Sequence, residues 1–367
     1  MNIWFAANIP EDSWGGVSRS MRELSSGLQK HGHCTTIVWG TRGVVRGNYL
    51  VFAFALCKRL LLHAAQPPDW IIARSTDGVL CALAAKTFRM KTKIALHNHG
   101  WEERAYEVEK KLAHDFVARA TTWRARSLRF PLLRATLFLC NCCLSGTLVE
   151  TRWLARRYPL CRKKLRYLPN GVQLGQSPYW NQQPAAGSNF LAVGGNTWKK
   201  NIGHSIAVFK SIADHIPGAR LFLVGAGFNK GDAPFVLKDL WHDKKDRIEV
   251  IPEEKPEFMS QWYKQCPFSI SSSRFEGGHS LAILEALSFG CVVFATDIPS
   301  TREFILNKSN GIIIGGINVE DDSKTILEVL SDKDLVARIR HNAFRTAGRN
   351  RWERQVNRLE EILCPKH

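Results

Sequence analysis

The run Ser271-Ser272-Ser273-Arg274-Phe275-Glu276-Gly277-Gly278-His279-Ser280-Leu281-Ala282-Ile283-Leu284-Glu285 has the residue types needed to hold an anion. Small residues end an apolar run, paired glycines turn the chain, and an apolar stretch of helical length follows. The free backbone N–H groups and dipole of a helix N-terminus would therefore face the turn, where a diphosphate can sit. Glu285 falls one to two turns into that helix, where a carboxylate can accept bonds from ribose hydroxyls.

Three further segments have related chemistry. Gly194-Gly195-Asn196-Thr197-Trp198-Lys199-Lys200-Asn201 follows an apolar run and opens a helix, so Lys200 can set a cation against an anion that the glycines admit. Taken alone, Lys199 and Lys200 would more often be solvated. Gly15 and Gly16 in Ser13-Trp14-Gly15-Gly16-Val17-Ser18 let backbone approach a ligand closely, although the segment is no GxGxxG fingerprint and a plain tight turn is equally open. His97-Asn98-His99-Gly100 places two imidazoles where a hydrogen-bonding or proton-handling group is useful. As a metal pair they lack a neighbouring third ligand, and no metal is expected.

Each segment follows a short apolar run and precedes a helical one, the pattern of parallel strands with crossover helices. Strands are predicted over Ile3–Ala6, Thr35–Trp39, Trp70–Ala73, Lys93–Leu96, Leu137–Cys142 and Leu165–Leu168. A second series covers Phe190–Val193, Arg220–Val224, Ile248–Ile251, Phe268–Ser271, Val292–Ala295 and Gly311–Ile314. The fold class is α/β, with two Rossmann-like doubly wound domains facing across a cleft and the chemistry at the C-terminal ends of their strands. The first domain is expected over 1–175, a linker with Pro178, Pro184 and Gly187 over 176–188, and the second domain over 189–343. The remainder, 344–367, carries Trp352, Val356, Leu359 and Leu363 at helical spacing and reads as an amphipathic helix packing back toward the first domain.

Composition agrees with two globular domains: 367 residues, 45% hydrophobic and 23% charged, without low-complexity tracts. The longest apolar run, Tyr49 to Cys57, ends at Lys58 and Arg59, well short of the roughly 18 residues of a membrane span. The first residues read as a strand rather than a secretory leader, so a cytoplasmic protein is expected. Among ten cysteines only Cys140-Asn141-Cys142-Cys143 holds a CxxC, and its apolar setting favours buried thiols over redox or zinc chemistry.

Charge is divided unevenly. Residues 1–180 hold 27 Lys and Arg against 11 Asp and Glu, a balance of +16, whereas residues 181–367 hold 24 against 22, a balance of +2. Such asymmetry favours an anionic partner for the first half. The densest basic stretches, Arg119–Arg134 and Arg152–Arg166, interleave bulky apolar residues in the first case; this suits a helix at a membrane interface as well as a solvated basic face.

In order and spacing these segments, together with Ser145, Leu168-Pro169-Asn170-Gly171-Val172, Leu223-Val224-Gly225-Ala226-Gly227 and Arg351-Trp352-Glu353, resemble glycosyltransferase family 4, whose members have the GT-B architecture. The resemblance covers nearly the whole chain. It implies retaining transfer of a sugar from a nucleotide-sugar, UDP before GDP, without an obligatory metal or cofactor. Lys200 would then neutralise the donor diphosphate and Glu285 would bind the ribose. Gly277, Gly278, His279, Ser280 and Leu281 would line the phosphates and sugar, with Gly194, Gly195 and Lys199 beside them and Gly15 and Gly16 closing over the diphosphate. His99, with His97 as the alternative, would contact the transferred sugar.

Two departures from the family pattern stand out. Gly195 occupies the place of a common Arg, so a phosphate cation must come from Lys199 or another basic group. Glu276 and Glu285 enclose eight residues where the family has seven; either the loop bulges to bring Glu276 to the sugar or backbone amides replace it. The basic first half implies a lipid-linked, lipopolysaccharide or polysaccharide acceptor at the inner face of the membrane, reached by a peripheral enzyme. A nucleic-acid-binding protein would explain the charge but no nucleic-acid motif appears. A GT-B epimerase would need its own acid and base on the sugar ring and a phosphorylase a pyridoxal-binding lysine, and neither has a local pattern here; Lys200 and Glu285 argue against a silent scaffold.

Overall fold

The computed structural model describes residues 1–40, 49–112, 128–175, 189–225, 227, 246–251 and 254–365. The chain forms two units, Met1–Asn170 with Trp352–His367, and Gly171–Arg351.

The first unit runs β1 (Asn2–Ala7), α1 (Gly16–Lys30), β2 (Cys34–Trp39), α2 (Tyr49–Leu62), β3 (Trp70–Arg74), α3 (Val79–Thr87), β4 (Lys93–Asn98), α4 (Glu102–Leu112), α5 (Phe130–Leu139), β5 (Cys142–Ser145), α6 (Leu148–Arg157) and β6 (Leu165–Tyr167). Its strands pair in parallel in the order β2-β1-β3-β4-β5-β6. β1 lies inside the sheet, between β2 and β3, and is buried from Ile3 to Ala7, as expected of a strand covered on both faces.

The second unit runs β7 (Phe190–Val193), α7 (Ile202–Ala213), β8 (Leu221–Val224), β9 (Ile248–Ile251), α8 (Pro256–Gln265), β10 (Phe268–Ser271), α9 (Leu281–Ser288), β11 (Val292–Thr296), β12 (Ile312–Ile314), α10 (Val319–Ser331) and α11 (Lys333–Arg349). Its parallel sheet has the order β12-β11-β10-β7-β8-β9. Phe190 stacks on Phe268 and meets Phe209 edge-on, so β7, β10 and α7 share one core.

Two sequence expectations are corrected. Leu137–Cys142 is not a strand: α5 extends to Leu139, begun by Pro131 in its first turn, where the missing N–H costs nothing, and the strand starts at Cys142. Asn141 makes the switch, exchanging backbone and side-chain hydrogen bonds with Ile94 of β4. The stretch 344–363 is not one helix either. α11 belongs to the second unit, burying Val336, Ile339, Ala343 and Ala347, and stops at Asn350, where the Val172 N–H bonds the Asn350 carbonyl.

A separate helix, α12 (Trp352–Leu363), then joins the first unit. Trp352, Val356, Leu359 and Leu363 are buried, and Val356 packs so closely on Gly27 of α1 that a Cβ there would lie 2.3 Å from it. Glu360 clamps the same contact, accepting from His31 at 2.8 Å and His33 at 2.9 Å. The expected linker, 176–188, lies outside the described residues.

Candidate active site

In the second unit the loops after β7 and β10 are tied into one structure. The Arg274 N–H donates to the Lys199 carbonyl at 2.7 Å, and the Ser272 hydroxyl donates to the Asn201 carbonyl at 2.7 Å. Asn201 closes the turn in the left-handed region, φ 49°, a conformation that Asn tolerates better than most residues. Lys200 is thereby carried to Glu276: its Nζ lies 2.5 Å from Glu276 Oε1, which also accepts the Ser273 hydroxyl at 2.8 Å.

The predicted glycines make this possible. Gly194 has φ 151°, and a Cβ on it would lie 3.1 Å from Cγ and Cδ of Lys200, so the lysine stem lies directly over the glycine. Gly225 has φ 157°, and a Cβ there would lie 2.2 Å from the Gly194 carbonyl oxygen. Gly195 adjoins that contact; Ala226 lies outside the described residues.

The Gly277-Gly278 turn delivers the chain to α9, whose N-cap, Ser280, makes no side-chain cap. The Ser280 hydroxyl is buried without a hydrogen-bond partner among the described residues, and the first turn, from Leu281, carries no acid. This helix N-terminus offers N–H groups and an idle hydroxyl to an anion. Glu285 is buried on the same helix, and its Oε2 accepts the Tyr263 hydroxyl at 2.9 Å. The His279 ring is turned inward, tilted against Phe304 at 4.6 Å between centroids with Nε2 3.4 Å from Glu303, which leaves the backbone of His279 for the turn.

Sequence reasoning passed over Arg274. It is half-buried at the end of β10, burial holds its pKa below the usual arginine value, and its guanidinium makes no hydrogen bond or ion pair among the described residues. Lys199, the expected substitute for the missing cation, instead lies 5.3 Å over the Phe275 ring and 5.9 Å over Trp198. The signal for Arg274 was present: a cation one residue past the small residues that end the strand.

The first unit gathers its own polar edge. Gly15 is the N-cap of α1, again without a side-chain cap or an acid in the first turn, so Gly16 opens a helix with free N–H groups. Arg22 holds the preceding loop in place, donating to the Ser13 and Glu11 carbonyls while lying over the rings of Trp14 and Trp39. At the end of β4 the rings of His97 and His99 lie 3.9 Å apart. Burial pushes His97 down to about 4 and His99 well below its usual value, the latter helped by His97 and Arg74. Both are neutral near pH 7, hydrogen-bonding groups rather than cations, and His97 Nδ1 and His99 Nε2 have no partner among the described residues.

Burial raises the Cys140 thiol to about 11 and Cys142 to about 12, so both stay protonated. Of the basic stretch Arg119–Arg134, residues 119–127 lie outside the described residues, while Arg129 and Arg134 pair with Glu102 at 2.6 Å and Glu103 at 2.7 Å. Among the described residues no cluster of three or more His, Cys, Asp and Glu could hold a metal ion, and no helix is long and apolar enough to cross a membrane.

Comparison with known proteins assigns both halves. The chain is 26% identical over 171 residues to the poly(glycerol-phosphate) alpha-glucosyltransferase of Bacillus subtilis, covering 44% of this chain and 25% of that protein. It is 22% identical over 197 residues to the GDP-mannose:cellobiosyl-diphosphopolyprenol alpha-mannosyltransferase of Xanthomonas oryzae, covering 53% of this chain and 51% of that one. The chain thus spans a quarter to about half of these relatives' lengths. The structure of Anabaena HepE with UDP and glucose superimposes with a TM-score of 0.70 at 15% identity, over 99% of each chain, and shares the fold. Residues 14–176 match the model "Glycosyltransferase Family 4" and residues 183–346 the model "Glycosyl transferases group 1", so the chain, with its two parallel six-stranded sheets, belongs to the family 4 glycosyltransferases of GT-B fold.

Proposed function

We propose that the protein transfers a sugar, with retention at the anomeric carbon, from a nucleotide-sugar to a lipid-linked or lipopolysaccharide-type glycan at the cytoplasmic face of a membrane. The observation that carries this reading is the anion cradle of the second unit: the tied loops that carry Lys200 and Arg274 lead through Glu276 into the uncapped N-terminus of α9 and the idle Ser280 hydroxyl. As the bond from the sugar to the diphosphate breaks, negative charge grows on the leaving diphosphate. Fixed positive charge there stabilises the transition state more than the ground state. No metal is needed in this reading, because the cradle supplies that charge.

Glu285 takes the ribose hydroxyls, and Glu276 sets the position of Lys200. On the first unit, Gly15 and Gly16 offer backbone N–H groups to the diphosphate and His99 is the neutral hydrogen-bonding group for the transferred sugar. UDP is the first nucleotide to test, since HepE was solved with UDP; the Xanthomonas relative's GDP-mannose makes GDP the second. The relatives that act on a diphosphopolyprenol and on poly(glycerol-phosphate) support an anionic or lipid-linked acceptor for the basic first half.

A thermal-shift screen of nucleotide-sugars in EDTA tests this, with wild type beside Lys200→Ala and Glu285→Ala. A ligand at one hundred times its Kd stabilises by about 2.7 kcal/mol. One UDP- or GDP-sugar is expected to stabilise the wild type and neither variant. If no nucleotide-sugar shifts the wild type, the reading fails.

A further inference from the structure

Among the described residues eleven of the fourteen exposed large apolar side chains belong to the first unit, and five of them share one edge of its sheet. A parallel sheet returns each crossover helix antiparallel to the strands, so the C-terminal ends of helices and the turns leading into strands share the N-terminal edge. Leu61 and Leu62 end α2, Phe88 follows α3, Phe138 lies in the last turn of α5 and Leu160 sits in the turn before β6. Leu62 is 74%, Phe88 65% and Leu160 85% exposed. They precede β3, β4, β5 and β6, which are consecutive neighbours in the sheet. Lys164, which donates to the Phe138 carbonyl at 2.6 Å, and the Lys93 N–H, which bonds the Asp69 carbonyl at 2.9 Å, tie adjacent turns together.

The same turns are strongly basic. Residues 58–69, 86–93, 138–141 and 159–164 contain nine Lys and Arg and a single carboxylate, Asp69, which accepts the Asn2 N–H at 2.7 Å. A rim of protruding Leu and Phe among unopposed cations complements a bilayer bearing anionic headgroups: the apolar tips enter the headgroup boundary while the cations meet phosphates. Exposed apolar residues of the second unit, such as Phe258, Leu306 and Ile317, lie on separate segments without such a basic setting.

We infer that this N-terminal edge of the first sheet is a membrane-docking face for anionic phospholipid. The inference rests on the membrane part of the reading above and gives it a place. It differs from the expected basic helix, whose described arginines are held by Glu102 and Glu103. Gly15–Gly16 and His97–Gly100 lie at the opposite edge of the sheet, so docking leaves them uncovered.

The test is flotation of the full chain with phosphatidylcholine vesicles, pure or containing one quarter phosphatidylglycerol. Wild type is expected to float with the anionic vesicles, with a bound fraction at least about fivefold lower on pure phosphatidylcholine. The triple variant L62S/F88S/L160S and the charge variant K86E/R89E/K163E should each lose at least about fivefold on anionic vesicles, while I317S stays unchanged. A wild type that ignores anionic vesicles, or variants that float like it, overturns the inference. So does a wild-type dimer, seen by light scattering, that the triple variant dissolves without any vesicle binding: the occupant is then a second copy. UDP-induced thermal stabilisation, read on the same samples, separates the two readings. Retained stabilisation with lost flotation in the variants isolates the docking face, and vesicle binding without nucleotide stabilisation overturns the transferase reading alone.

Discussion

Lys200 Nζ lies 2.5 Å from Glu276 Oε1, and the lysine stem that brings it there runs over the bare backbone of Gly194. Both ends of the pair were visible as separate candidates. Their contact makes Glu276 a group that fixes the lysine's position before a ligand arrives, and also a competitor for its charge.

Glu276→Gln should therefore bind UDP as well as wild type, or up to about fivefold more tightly, the range of a solvent-accessible ion pair. Lys200→Ala should weaken UDP about tenfold or more, because a charge-assisted hydrogen bond is lost. The double variant should track Lys200→Ala in a titration by calorimetry. Equal weakening by both single changes would make Glu276 a direct ligand contact instead.

Arg274 offers a second separation of binding from stability. Burial disfavours its charged form and no described partner compensates, so folding gains nothing from the guanidinium. Arg274→Ala should leave the thermal midpoint unchanged or slightly raised while UDP affinity falls about 10- to 100-fold, the weight of a hydrogen bond to a charged group. A destabilised variant with intact UDP affinity would make Arg274 structural.

Most strands were legible because two-sided burial leaves continuous apolar runs, such as Ile3–Ala6 and Val292–Ala295. Leu137–Cys142 misled because a short apolar run has no period of its own, and the decisive features, Pro131 upstream and the Asn141 exchange with Ile94, lie at its margins. In the site, glycines and lysines were legible from spacing. The inward turn of His279 onto Phe304 and the loss of Lys199 to the Phe275 ring depend on tertiary partners that no local pattern encodes.

Asp77 and His97 should pull the pH dependence of stability in opposite directions. Burial raises buried Asp77 to about 6 from the ordinary 3.8, even though its Oδ2 accepts the Asn8 N–H at 2.8 Å. The folded state then binds more protons than the unfolded chain between those values, so this group costs stability as pH rises from about 4 to 6. His97, pushed down to about 4 from 6.5, does the reverse: the unfolded chain binds the extra proton, and stability is lost as pH falls. Asp77→Asn keeps an acceptor for Asn8 and removes only the first effect. Its stability relative to wild type should be near zero at pH 4 and rise to about 3 kcal/mol by pH 7, measured by denaturant unfolding of the first unit's transition. A difference that is constant with pH would mean that Asp77 stays charged.

The glycines of the cradle should separate by what an added methyl group meets. At Gly225 it meets the Gly194 carbonyl at 2.2 Å, and that backbone is fixed by the β7–β8 pairing, in which the Gly194 N–H bonds the Val224 carbonyl at 2.9 Å. At Gly194 its nearest neighbours are atoms of the flexible Lys200 stem, at 3.1 Å, although φ 151° adds strain. Gly225→Ala must move a strand end, and overpacking of that kind costs roughly 1–3 kcal/mol. Gly194→Ala can be relieved by turning Lys200 away from Glu276. Calorimetry should find the larger drop in thermal midpoint for Gly225→Ala, whereas Gly194→Ala should lose UDP affinity out of proportion to its stability and resemble Lys200→Ala in the binding assay. A Gly194→Ala protein that binds UDP normally would show that the lysine reaches its place by another route.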